Sequence, residues 1–227
     1  MCEDSKVGTV NCFSVGSNGV KFDDEINFLS IATLMDVMSL VSEGMDKNKP
    51  LTVYFSSTGG SLSDLQDLVD FVIGMLEEVE IVFVLNGLCM SGGAFIIYEL
   101  INYCKVYIGD EAVVMFHTAL FPGRSRSVLV NKTYEDTMNR YTDKYCEIFK
   151  NSGISKKDIK RFKKGEDVYY SGYMFREYLE NYVGYMDSIR NAEYLNYLKN
   201  QVEMLENGVD IQEWVWYNII TSKVSLV

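Results

Sequence analysis

The sequence predicts an α/β fold, a largely parallel sheet covered by helices, on three observations. Short runs rich in β-branched and aromatic residues, such as 51–55 (LTVYF) and 81–85 (IVFVL), read as buried strands. Segments with apolar residues at helical spacing alternate with them, which is the pattern of βαβ units. Two of the runs lead into paired glycines, Gly59-Gly60 and Gly92-Gly93, placed where a strand must turn sharply into a helix.

Taken in order, residues 7–15 predict a strand, 16–19 a turn and 20–22 a short strand. Residues 23–27 form an acidic, polar lead-in. Phe28, Ile31, Leu34, Met35, Met38 and Val41 lie on one helical face that stops at Gly44. After the strand 51–55, Ser61 and Asp64 form an S-x-x-D capping box that opens a helix over 62–76. The strand 81–85 breaks at Asn86-Gly87, and a turn through Cys89-Met90-Ser91 leads to a helix over 94–98. Residues 105–108 and 113–116 are two further short strands. A long polar helix is expected over 127–150, a short basic one over 155–164 and a strand over 168–170. A helix capped by Ser171 closes at Gly184 before Tyr185-Met186-Asp187. Beyond it, a helical extension over 190–227 carries Tyr194, Tyr197 and Trp214. The expected division is a domain over 1–189 and this extension.

The bulk composition excludes several classes. The 227 residues carry a net charge of -11, which argues against a nucleic-acid surface, since that needs a clustered basic face. Five scattered cysteines suit free thiols in a reducing compartment, and one histidine gives no zinc-ligand spacing. No cofactor or metal is expected. No basic segment followed by an apolar run opens the chain, so the expected location is cytoplasmic. The apolar stretch 81–98 is interrupted by Asn86 and glycines, against a membrane span.

Ser91 sits in a strand–turn–helix context, as the serine of a nucleophile elbow does. The N–H of the next residue, Gly92, would face a developing oxyanion. The spelling is not GxSxG, because Cys89 holds the first glycine position, and a serine at a helix cap is the competing reading. The only imidazole is His117, at the end of a third strand of the same sheet. A serine nucleophile needs such a base, and the base needs a carboxylate. Asp167 is the candidate acid, with Glu166 beside it.

The order TGGS (58–61), CMSGGAF (89–95), MFHTAL (115–120) and EDVYYS (166–171) resembles the proteolytic subunit of the Clp protease. The Ser91–His117 gap of 26 residues and the His117–Asp167 gap of 50 are close to that family's spacing. Residues 178–189 are similar to its closing helix, glycine and short strand. The resemblance covers roughly residues 7–189 and implies a ClpP/crotonase-like ββα superhelix, with 127–150 as a protruding handle helix. It implies a serine endopeptidase with Ser91 as nucleophile, His117 as base and Asp167 as its orienter. The backbone N–H groups of Gly60 and Gly92 would form the oxyanion hole. It further implies polypeptide substrates, heptameric or stacked rings, and an ATP-driven unfoldase partner. Thr58 stands where the family has proline and Gly92 where it has a bulkier residue. The competing expectations are a catalytically silent scaffold and a crotonase-like acyl-CoA enzyme on the same superfold.

Overall fold

A computed structural model describes residues 10–118 and 128–206. It is a mixed α/β structure with a mixed sheet. Seven strands form the sheet: β1 (Cys12–Val15), β2 (Gly19–Asp23), β3 (Leu51–Ser57), β4 (Ile81–Met90), β5 (Lys105–Ile108), β6 (Val113–Phe116) and β7 (Val168–Ser171). The path runs β1-β2-β3-β4-β6-β7, with β5 also on β4. The expected parallel character holds for β2, β3, β4, β5 and β6, while β1 and β7 pair antiparallel at the two ends. The described helices are α1 (Phe28–Gly44), α2 (Leu62–Met75), α3 (Gly92–Leu100), α4 (Val128–Asn151), α5 (Lys156–Lys163) and α6 (Gly172–Glu206).

Local chemistry explains the helix starts. Asn27 accepts from the Ser30 N–H at 3.0 Å while Ser30 Oγ accepts from the Asn27 N–H at 3.1 Å, a reciprocal capping box for α1. Ser61 accepts from the Asp64 N–H as expected, Ser155 from the Asp158 N–H, and Ser171 from the Met174 N–H.

Two expectations are corrected. β4 does not end at Asn86-Gly87 but runs on to Met90. Its register against β3 passes from Phe55↔Leu85 to Ser57↔Cys89, so β4 advances four residues while β3 advances two. The excess is a bulge, with Gly87 at φ +89°. Below the bulge β4 pairs with β5, and above it Leu88, Cys89 and Met90 pair with β6. The bulge thus brings β6, and with it His117, alongside the end of β4. The second correction is at Gly184, which neither ends the helix nor precedes a strand, because α6 carries through it. A glycine inside a helix costs only about 1 kcal/mol against alanine.

The chain divides into two units, residues 1–183 and 184–227, whereas the sequence places the boundary at 189. Within the first unit the core has two aromatic centres. Phe22, Phe55 and Phe83 line up across β2, β3 and β4, with the first two rings stacked 5.1 Å apart. Phe95 and Tyr98 of α3 meet Phe116 of β6 and Tyr145 and Phe149 of α4. Burying each such side chain contributes roughly 1.5–3 kcal/mol, so the floor beneath the β4–α3 junction is firmly packed. In α4 the burial is uneven, since no residue from 131 to 140 is buried while Tyr145, Ile148 and Phe149 are. The expected extension falls on α6 as far as residue 206, and Trp214 lies outside the described residues.

Candidate active site

Ser91 joins β4 to α3 with φ +52° and ψ -122°, and it is the one non-glycine residue with positive φ among the described residues. A side chain in that region costs of order 1–3 kcal/mol and persists only where the surroundings impose it. Here they do. The Ser91 N–H donates to the Met115 carbonyl of β6 at 2.8 Å, and the Ser91 carbonyl accepts from the Ala94 and Phe95 N–H groups of α3. The serine hydroxyl makes no capping hydrogen bond, so the cap reading does not account for it. Ser91 itself is half-buried.

Cys89, two residues earlier, is fully buried. Burial pushes its thiol up to about 12, which keeps it protonated and unreactive at neutral pH. That leaves the Ser91 hydroxyl as the candidate nucleophile at this junction.

The Gly59-Gly60 turn folds against this elbow, as the paired glycines predict. Ser57, buried at the end of β3, accepts from the Gly59 N–H at 3.0 Å. Ile26 clamps the turn from the other side, donating to the Gly59 carbonyl at 2.7 Å and accepting from the Ser61 N–H at 2.9 Å. At Gly59, with φ +100°, a Cβ would lie 2.6 Å from Ser91 Cβ and 3.0 Å from the Gly92 nitrogen. At Gly60, with φ +142°, a Cβ would lie 2.0 Å from the Ile26 carbonyl oxygen. Neither position admits a side chain. A Cβ on Gly92 would in turn lie 3.5 Å from the Gly60 nitrogen, so the two glycine backbones converge. Neither the Gly60 nor the Gly92 N–H donates to any described residue. The second also opens α3, whose N-terminal dipole favours negative charge.

His117 follows β6 and is half-buried. Its Nδ1 contacts the Thr118 carbonyl oxygen at 2.8 Å. A carbonyl only accepts, so this contact places a proton on Nδ1 and leaves Nε2 as the basic nitrogen. β6 and β7 pair in a register ending at Phe116↔Val168. One step further sets His117 opposite Asp167. The sheet registers therefore place Ser91, His117 and Asp167 at the same end of β4, β6 and β7.

The three are not joined by hydrogen bonds. Among the described residues Ser91 Oγ has no partner, and the Asp167 carboxylate accepts from the Tyr169 hydroxyl at 3.2 Å rather than from His117. Glu166, the alternative acid, pairs with Arg161 at 3.2 Å. Sequence reasoning missed Ile26, Thr118 and Tyr169. Ile26 and Thr118 act through backbone atoms, which carry no residue-type signal. Tyr169 was legible only as a strand residue, although its i, i+2 spacing from Asp167 puts both on one face.

No model of a known protein family matches the sequence, and no curated protein matches it. No described helix is long and apolar enough to cross a membrane.

Proposed function

We propose that this protein is a serine endopeptidase of the ClpP-like type, acting through an acyl-enzyme on Ser91. The observation that carries the reading is the Ser91 backbone at φ +52° beside two glycine N–H groups that donate to no described residue. Backbone strain of that kind at a strand–helix turn is hard to account for by packing alone. It is what presents a hydroxyl to a substrate carbonyl.

In this mechanism Ser91 Oγ attacks the scissile carbonyl carbon while His117 Nε2 takes its proton. The carbonyl oxygen, now negative, is held by the N–H groups of Gly60 and Gly92 at the head of α3. Collapse expels the amine, which receives the proton from His117. Water, deprotonated by the same nitrogen, then releases the acyl group. Asp167 serves as the orienting acid, holding Nδ1–H in place of the Thr118 carbonyl. The bulge in β4 and the outward first half of α4 are consistent with the handle-bearing superhelix that the motifs suggest. Assembly into rings around a chamber, polypeptide substrates and an unfoldase partner belong to the same proposal.

The test is covalent labelling by a fluorophosphonate probe, read by mass spectrometry on the wild type, Ser91→Ala and His117→Ala. Labelling at Ser91 that both substitutions abolish is the expected result. Absence of labelling in folded, correctly sized protein would overturn the reading in favour of a silent scaffold. A loss of labelling in Ser91→Ala with full labelling in His117→Ala would remove the triad from it.

A further inference from the structure

The two acid-side contacts of the site are each made with the wrong partner for catalysis, and they are wrong together. Asp167 and His117 are cross-strand neighbours one step beyond the Phe116↔Val168 pair. Side chains directly opposite one another in an antiparallel pair lie on the same face, with Cα atoms roughly 4.5–5.5 Å apart. Asp167 and Tyr169 share that face too, being two residues apart in one strand, while Val168 and Tyr170 point the other way and are buried. The carboxylate of Asp167 therefore has two candidate donors on its own face, the Tyr169 hydroxyl and His117 Nδ1–H.

In the structure the tyrosine holds it, Tyr169 Oη donating to Asp167 Oδ2 at 3.2 Å. His117 is left to use the Thr118 carbonyl. Among the described residues, the cation beside this stretch is committed elsewhere. Arg161 of α5 bonds to Glu166 at 3.2 Å, faces Asp158 at 3.6 Å and donates through Nη2 to the backbone carbonyl of Asp167 at 2.9 Å. None of these bonds engages the Asp167 carboxylate, so the competition for it lies between Tyr169 and His117.

We infer that Tyr169 is a positioning residue that withholds Asp167 from His117, so that alignment of the acid requires this one side-chain hydrogen bond to be exchanged. The inference rests on the serine peptidase reading for its consequence, though not for its geometry. Tyr169 is 54% exposed. Its hydroxyl can pass to water without loss, so the exchange involves rotation of two side chains and no movement of the sheet. Substrate or a neighbouring protein surface that offers the Tyr169 hydroxyl another acceptor would drive it.

Because the chain has a single histidine, its imidazole signals report the exchange without ambiguity. Nuclear magnetic resonance of the full-length protein, labelled at the histidine ring, would compare the wild type, Tyr169→Phe, Asp167→Asn and the double variant. Expected is a low-field Nδ1–H resonance, the signature of an imidazole–carboxylate bond, in Tyr169→Phe and in none of the other three. Ser91 labelling by the fluorophosphonate probe should rise about five-fold in the same variant, the size of one net hydrogen bond. That rise should vanish in the double variant. Tyr169→Leu, which also lacks the hydroxyl, should behave as Tyr169→Phe does. A histidine spectrum unchanged by both substitutions overturns the inference, as does a low-field resonance already present in the wild type. The two readings fail separately. A low-field resonance without labelling supports the withheld acid and sinks the peptidase, whereas labelling with an unchanged spectrum does the reverse.

Discussion

The oxyanion side and the acid side of the candidate site are built on different principles. On the oxyanion side every functional atom is a backbone atom or is held by one. Ser91 is fixed by hydrogen bonds to β6 and α3, Gly59 by Ser57, and the glycine turn by both polar groups of Ile26. The glycines there leave no room for a Cβ, and the aromatic floor beneath is buried. On the acid side the functional atoms are the ends of exposed side chains. Asp167, Glu166, Arg161 and Tyr169 exchange partners in water, where a single ion pair or hydrogen bond contributes little net stability. The candidate site thus combines a part that the fold over-determines with a part held only by side-chain contacts at the surface.

The largest effect should come from breaking the over-determined half. Gly60→Ala would drive a Cβ to within 2.0 Å of the Ile26 carbonyl oxygen at a φ of +142°. The turn must then detach from Ile26, at a cost of about 3 kcal/mol. Urea unfolding should show that loss, and Ser91 labelling should disappear even under conditions where the protein remains folded. A stability change under about 1 kcal/mol would mean that the turn is not held as described.

A smaller and opposite effect is expected at the elbow itself. Ser91→Gly removes the hydroxyl and also the Cβ that suffers at positive φ, so it should abolish labelling while stabilising the protein by about 1 kcal/mol. Ser91→Ala, which keeps the Cβ, should abolish labelling with no such gain. Equal thermal midpoints for the two variants would argue that Ser91 carries no strain.

The smallest effect belongs to the half held by side-chain contacts. Glu166→Gln breaks an ion pair with Arg161 whose side chains are 49% and 41% exposed. Stability should move by no more than about 0.5 kcal/mol, and the labelling rate of Ser91 should stay at the wild-type value. A large fall in rate would transfer the role of triad acid from Asp167 to Glu166.

Much of this was legible in the chain before folding. Runs of β-branched and aromatic residues placed β3 and the first half of β4, and helical spacing placed α1 and α2, because burial selects apolar residues. Ser61 and Ser171 marked helix starts, because orphan N–H groups need an acceptor. The site residues Ser91, His117 and Asp167 stood out by type and spacing. The bulge at Asn86-Gly87 was read as a break, since a glycine after asparagine signals a turn by local preference, and only pairing with β3 keeps the strand going. Gly184 was read as a stop for the same kind of reason.

What the sequence by itself determined, then, is the order of elements, their amphipathic faces and the chemical groups available at the strand ends. These follow from side-chain size, polarity and backbone preference, which act over a few residues. The tertiary structure alone decided that β4 passes from β5 to β6 at its bulge, which sets His117 at the same end of the sheet as Ser91. It alone forced Ser91 to positive φ, through hydrogen bonds from β6 and α3. It alone gave the carboxylate of Asp167 to Tyr169 instead of His117. Each of these is a choice among partners far apart in the chain, and such choices are settled by which contacts can be satisfied together.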